Sequence, residues 1–481
     1  MLINSIDFWL FLAAVALPYY TLLRHSARGQ NVWLMLTSFF FYAWADWRLL
    51  PLLVLATVVF YGLGLTMEAR RNDERAAKRL MWTGVAAGVG ILFYFKYLGF
   101  CIDEFVALFR ALGFQVSRPT FVIIMPLGIS YFTFKLISYI VDVRKGTMSA
   151  CRDGVAFATY VAFFPTIMSG PIDRAAGFIG QLTQPRPAAS QHLAEGAKRV
   201  LWGMFMKMCI ADRINPYTDA VFNNVAHHNG STIVLASVLY LVQMYSDFAG
   251  YSHMAIGVGR LLGINVTENF RQPFFAVNGG DFWRRWHISL SSWLRDYIYI
   301  PLGGSRCSRA RSYFNVMVTF VACGIWHGAN WTYVLFGVHH GLLVILSRVM
   351  RTPRERLEAR WTALSGARAY RLARQLFTFA LCAIGAMYFR ANSVGDIALA
   401  YQQIAAGWGT LYTTATLPMF TWGMIAVAMM LFKEFQDEHS GRLHFLHSPH
   451  RWVRIATCVL LIVFIMLTGE IEGTSFIYVQ F

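Results

Sequence analysis

Apolar runs close to the length of a bilayer recur along nearly the whole chain. They fall near 6–23, 31–48, 50–67, 80–98, 121–143, 197–211, 232–256, 313–326, 331–347, 375–390, 415–432 and 453–469. A helix needs about 20 such residues to cross hydrocarbon, and several of these runs are shorter. The chain has 481 residues, 57% of them hydrophobic. A soluble fold cannot hide that much apolar surface, and a disordered chain would not carry it. The pattern predicts an all-α polytopic membrane protein, one integral-membrane unit over 1–481, with about 11–13 crossing or re-entrant helices. Segment 155–172 is apolar but broken by Pro165, Gly170 and Pro171, which predicts a re-entrant stretch satisfied inside the protein. Segment 283–300 is ambiguous, because it carries Arg284, Arg285 and Arg295. No basic stretch or small-residue cleavage site accompanies the first run, which reads as a retained helix rather than a signal peptide.

The chain carries 42 Lys and Arg against 25 Asp and Glu, a net charge of +17. In a soluble protein this would suggest nucleic acid. In an apolar chain it is the signature of cytoplasmic loops, and no nucleic-acid partner is expected. Segments 69–79, 271–311 and 348–374 concentrate basic residues, whereas 391–414 and 470–481 contain none. Counting spans with the basic loops inside places both termini, and the tail 470–481, outside. The seven cysteines are scattered with no CxxC pair, which argues against a disulfide framework and a zinc ribbon. No 20–50-residue repeat or inverted symmetry is evident, which weakens a transporter reading.

Polar residues within a membrane profile are expensive and point to function or to buried partners. They are densest over 279–341. His327 lies between two apolar runs and beside Trp326 and Gly328. A neutral imidazole there could act as a general base, or be a core histidine bonded to a carbonyl. His287 follows Trp283, Arg284, Arg285 and Trp286 and precedes a Ser-rich turn containing Ser291. The arginines could grip a phosphate or thioester carrier, or sit on lipid headgroups with the tryptophans as interfacial anchors. A metal site from His287, His327 and His339 is disfavoured, since no carboxylate or thiolate is seen at ligand spacing.

The blocks Phe282-Trp283-Arg284-Arg285-Trp286-His287-Ile288-Ser289-Leu290-Ser291 and Gly324-Ile325-Trp326-His327-Gly328-Ala329 resemble the signature of the membrane-bound O-acyltransferases. Supporting blocks are Phe39–Trp44, Phe95-Lys96-Tyr97, Pro126–Phe134, Ser169–Arg174 and Tyr245–Ser252. The likeness is closest to the bacterial envelope branch: alginate O-acetylation, peptidoglycan O-acetylation and teichoic-acid D-alanine transfer. The resemblance implies helices around a central tunnel, with His327 catalytic and His287 on the tunnel's cytoplasmic side. It implies a cytoplasmic thioester donor, acetyl-CoA or an acyl-carrier protein, and no bound cofactor or metal. Arg284, Arg285, Trp283 and Ser291 are the donor-side candidates. Trp326, Asn330 and backbone near Gly328 are candidates for the oxyanion. The tail Ser475-Phe476-Ile477-Tyr478-Val479-Gln480-Phe481 resembles the tyrosine motif of members that pass acyl groups to a separate exterior transferase. That likeness makes Tyr478 a transient acyl acceptor, although Val479 stands where the family often has Phe. The bland alternative is an aromatic interfacial anchor.

Acetyl transfer to an envelope or secreted polysaccharide in the bacterial inner membrane is the leading expectation. D-alanyl transfer and a non-catalytic transporter or flippase are the alternatives. Asp247 and Lys135, buried charges in apolar runs, are compatible with the last.

Overall fold

The computed structural model describes residues 1–118, 123–361, 366–413, 417–439, 445–470 and 476–477. Among these no strand occurs. The helices in the first part of the chain are α1 (Ile6–Tyr20), α2 (Ala27–Ala45), α3 (Leu50–Ala69), α4 (Glu74–Leu92), α5 (Leu98–Ala111), α6 (Ile129–Lys145), α7 (Gly154–Ala162) and α8 (Ala175–Ile179). Then come α9 (Ser190–Met204), α10 (Asp212–Phe222), α11 (Gly230–Leu261), α12 (Gly279–Arg285), α13 (Ile288–Leu294), α14 (Arg309–His327) and α15 (Trp331–Val349). The last are α16 (Arg351–Arg360), α17 (Arg368–Arg390), α18 (Val394–Ala406), α19 (Leu417–Glu438) and α20 (Arg451–Thr468).

Six described helical stretches are long and apolar enough to cross a membrane: 47–69, 74–111, 230–261, 331–349, 368–390 and 451–468. This is fewer than the apolar runs, for a physical reason. Several helices turn polar side chains into the protein. On α2, Gln30, Asn31, Thr37 and Ser38 are buried, and on α14 so are Ser312, Asn315, Thr319 and His327. Segment 155–172 behaves as the prolines and glycine predict. Helix α7 stops at Ala162, turns follow, and the stretch is buried almost throughout.

The chain forms two compact units, residues 1–197 with 255–267, and residues 198–254 with 268–481. In the first, α4 and α3 pack on α6 and α2 packs on α7. Its core holds buried polar ties. Arg186 reaches the Tyr19 hydroxyl at 2.6 Å and Asn31 Oδ1 at 2.6 Å. Lys135 donates to Thr166 Oγ1 at 3.0 Å and the Tyr160 carbonyl at 3.2 Å. Both lysine contacts are uncharged acceptors, so the buried cation reads as a structural tie.

The second unit contains His287 and His327. Its centre is the α14–α15 hairpin, with α12 and α17 packed on α15. Helix α14 ends at His327 because Gly328 is extended, and Asn330 caps α15 by accepting from Thr332 N at 3.0 Å. The two helices meet at small residues: a Cβ on Gly324 would collide with the Tyr333 carbonyl oxygen. Backbone cannot yield as a flexible side chain does. Gly324→Ala is therefore expected to destabilise the protein by about 1–3 kcal/mol or more. A lowered unfolding midpoint in detergent would register this, and an unchanged one would contradict it.

Candidate functional site

The two histidines flank one indole. The His327 ring lies 5.0 Å from the Trp326 ring, and the His287 ring lies 5.8 Å from the same ring on another element. Both imidazoles are buried. His327 is boxed edge-to-face by Phe336 at 5.5 Å and Phe389 at 5.1 Å. Apolar walls on that scale exclude water and keep the imidazole neutral, so its lone pair is open to a proton from a bound hydroxyl.

His287 sits in the left-handed region, with φ of 43°. A non-glycine residue pays for that conformation with about 1–3 kcal/mol, so the surroundings must over-determine it. Asn269 does this. Its backbone carbonyl accepts from Ile288 N at 2.9 Å. Its side-chain Oδ1 accepts from Ser289 N at 3.2 Å and from Ser289 Oγ at 2.9 Å, and lies 3.1 Å from His287 Nδ1. A backbone N–H can only donate, so the shared atom is an oxygen. His287 Nδ1 therefore carries its hydrogen towards Asn269, and Nε2 is the lone-pair nitrogen. Asn269 Nδ2 completes the set by donating to Ser252 Oγ at 3.1 Å.

The other site candidates divide by environment. Arg285 is taken up by carboxylates: it bonds Glu438 at 2.7 and 3.0 Å and lies 3.3 Å from Asp281. Arg284 is mostly exposed and touches Asp281 at 3.2 Å. Trp283 is buried and donates its indole N–H to His340 Nδ1 at 3.2 Å. Ser291 donates to the Trp286 carbonyl at 3.2 Å. Asn330 caps α15 with its oxygen and donates to the Asn392 carbonyl at 3.1 Å with its nitrogen. Those engagements make it a hairpin brace. Gly328 lies against the Tyr333 ring, where a Cβ would collide. Tyr478 lies outside the described residues.

The metal reading needs one correction. A sulfur does lie at helical spacing: the buried thiol of Cys323, four residues before His327, places Sγ 3.8 Å from its Nε2. No third ligand joins them, and no metal-holding cluster of three occurs among the described residues.

A cavity of about 680 Å³ is lined by Ile288, the residue after His287, and by neither histidine itself. Trp283, Arg284 and Ser291 line it, with Arg295, Arg348, Arg351 and Arg354 around it and Thr319 and Phe320 of α14 on its wall. Phe320 precedes His327 by seven residues, about 10 Å along a helix. Arg285 does not line it. The cavity therefore gathers cations from α12, the α13 region, α15 and α16, which lie far apart in sequence.

The family model for membrane-bound O-acyltransferases matches residues 39–382. The chain belongs to this family. It is accordingly an O-acyltransferase, a multi-pass membrane enzyme, and the transporter reading falls. It is 37% identical to the probable alginate O-acetylase AlgI of Azotobacter vinelandii over 82% of this chain and 76% of that one. It is 32% identical to the peptidoglycan O-acetyltransferase of Helicobacter pylori over 70% of this chain and 68% of that one. It is 32% identical to the teichoic acid D-alanyltransferase of Bacillus subtilis over 48% of this chain and 60% of that one. The family match spans α14, α15 and both histidine blocks.

Sequence reasoning missed Asn269, Glu438 and the Lys207–Asp212 pair. Lys207 did leave a signal, as a lysine inside the apolar run 197–211. Asn269 left none, because an asparagine in an irregular segment looks like any loop residue.

Proposed function

We propose that this O-acyltransferase moves an acetyl group from a cytoplasmic thioester donor to the outer face of a bacterial inner membrane, for O-acetylation of an envelope or secreted polysaccharide. One observation carries the reading: buried His327 and His287 flank Trp326, with an arginine-lined cavity at Ile288, the residue after His287. Acetyl is favoured over D-alanyl because the relatives named as acetylating enzymes match over 70% and 82% of the chain, against 48% for the D-alanyltransferase. The donor is acetyl-CoA or an acyl-carrier protein. Its phosphates would meet Arg284, Arg295, Arg348, Arg351 and Arg354, whose guanidiniums suit forked bonds to phosphate. The basic loops and this cavity then face the cytoplasm, and both termini face outward.

In the chemistry we propose, His327 takes the proton of the Tyr478 phenol as its oxygen attacks the thioester carbonyl. A C–O bond forms, the C–S bond breaks, and the imidazolium returns the proton to the leaving thiolate. A phenol with a pKa of about 10 is close to a thiol at about 8.5, so acyl exchange between them is nearly balanced. The aryl ester stays reactive enough for a separate exterior transferase to pass the acyl group to a polymer hydroxyl, regenerating the phenol. Trp326 N–H and backbone near Gly328 are the oxyanion donors in this scheme. Tyr478→Phe keeps the ring and removes the nucleophile. Polymer ester content should fall to background while the membrane level of the protein is unchanged. Full acylation by that variant would eliminate the relay.

A further inference from the structure

Three buried charges meet where the tail returns to the protein. Lys207 Nζ lies 2.7 Å from Asp247 Oδ1 and 2.9 Å from Asp212 Oδ1, and all three side chains are almost completely buried. Helices α9 and α11 come close enough for this because glycines face each other one turn away. A Cβ on Gly203 would come within 2.5 Å of the Gly250 carbonyl oxygen. A buried ion pair adds little net stability, since desolvation offsets its attraction, so stability alone does not account for this triad.

The second oxygen of Asp247 shows what that role is. Asp247 Oδ2 accepts from the backbone N–H of Ile477 at 2.8 Å. Lys207 Nζ stands 4.4 Å from the Phe476 ring centroid, and Tyr251, one turn along α11 from Asp247, meets that ring edge-on at 4.8 Å. Phe476 and Ile477 are both buried. The start of the tail is tied to the same region: Glu470 N–H donates to the Met208 carbonyl at 3.0 Å, and Arg213 donates to the Thr468 carbonyl at 2.6 Å. Phe248, next to Asp247, packs its ring 4.6 Å from that of His287. One turn of α11 thus touches both the tail and the histidine site.

We propose that Lys207 and Asp247 are positioning residues that clamp the tail through Phe476 and the Ile477 backbone, fixing its register for acyl acceptance by the next residue, Tyr478. The clamp rests on the relay reading for its purpose but not for its existence. Asp247 binds the main chain, so it sets depth and register without selecting a side chain. Lys207 pairs with Asp247 and selects an aromatic ring at 476. Asp212 keeps Lys207 oriented when Asp247 is altered.

The test uses the full-length protein in detergent micelles, digested with carboxypeptidase and followed by intact mass. Wild type should resist trimming beyond residue 478. Asp247→Ala and Lys207→Met should be trimmed past Ile477 at least about tenfold faster. Phe476→Ala removes the ring beneath Lys207 and leaves the ion triad untouched, so it should also release the tail with the protein still folded. Polymer acylation is measured in parallel. Tail release together with lost acylation supports the clamp and its purpose. Tail release with full acylation leaves the tie in place and overturns its positioning role, while Tyr478→Phe decides the relay separately. Unaltered protection in Phe476→Ala overturns the clamp, whatever acylation does.

Discussion

His327→Ala is expected to abolish acyl transfer, lowering polymer ester content by about 10²- to 10⁴-fold, the range over which a positioned base contributes. The ring is buried among Trp326, Phe336 and Phe389, so alanine also opens a cavity there. Loss of packing could lower activity by itself, and His327→Gln separates the two effects. Glutamine fills much of the space and offers hydrogen bonds, yet it cannot take a proton near neutral pH. The glutamine variant should insert, melt close to wild type, and still show background acylation. Substantial acylation by it would remove the base role from His327 and leave a packing histidine.

Asn269→Leu is expected to cost about 3 kcal/mol or more. The Oδ1 atom serves Ser289 N, Ser289 Oγ and His287 Nδ1 in a site closed to water. Each buried donor left without an acceptor costs about 1–3 kcal/mol, and leucine supplies none. His287 would also lose what holds it at φ of 43°. Both the unfolding midpoint and acyl transfer should therefore drop. Asn269→Asp keeps an acceptor oxygen for those donors, at the cost of a buried carboxyl group and the lost donation to Ser252, so it should still retain more of both than Leu. Equal damage from Leu and Asp would show that the shared oxygen is not what matters, and an unperturbed Leu variant would sink the role altogether.

The histidine site was legible in sequence for a reason tied to local structure. Trp326 and His327 are neighbours on one helix end, and the Gly on each side of the pair packs closely on Tyr333, Gly324 on its carbonyl and Gly328 on its ring. Their spacing in the chain nearly is their spacing in the site. The cationic run before His287 was equally visible, but its division of labour was not. Arg284 borders the cavity while Arg285 is bound by Glu438, a residue 153 positions away. A one-residue step along a helix turns a side chain by about 100°, so adjacent arginines meet different surroundings. Arg295 joins Arg284 at the cavity from the same basic segment, and Arg348, Arg351 and Arg354 come from another one at α15 and α16; only the fold brings the two segments together.

The apolar runs by themselves determined that this chain lives in a membrane, since no soluble core could absorb them. The order of its motif blocks determined the family. Tertiary structure alone decided that Asn269 fixes the tautomer of His287, and that Lys207 and Asp247 hold the backbone of Ile477. Hydrophobic burial depends on composition and period, which a sequence displays directly. Hydrogen bonds and buried ion pairs depend on angles and distances of a few ångström between residues 18, 40 or 230 positions apart, and only the folded chain sets those.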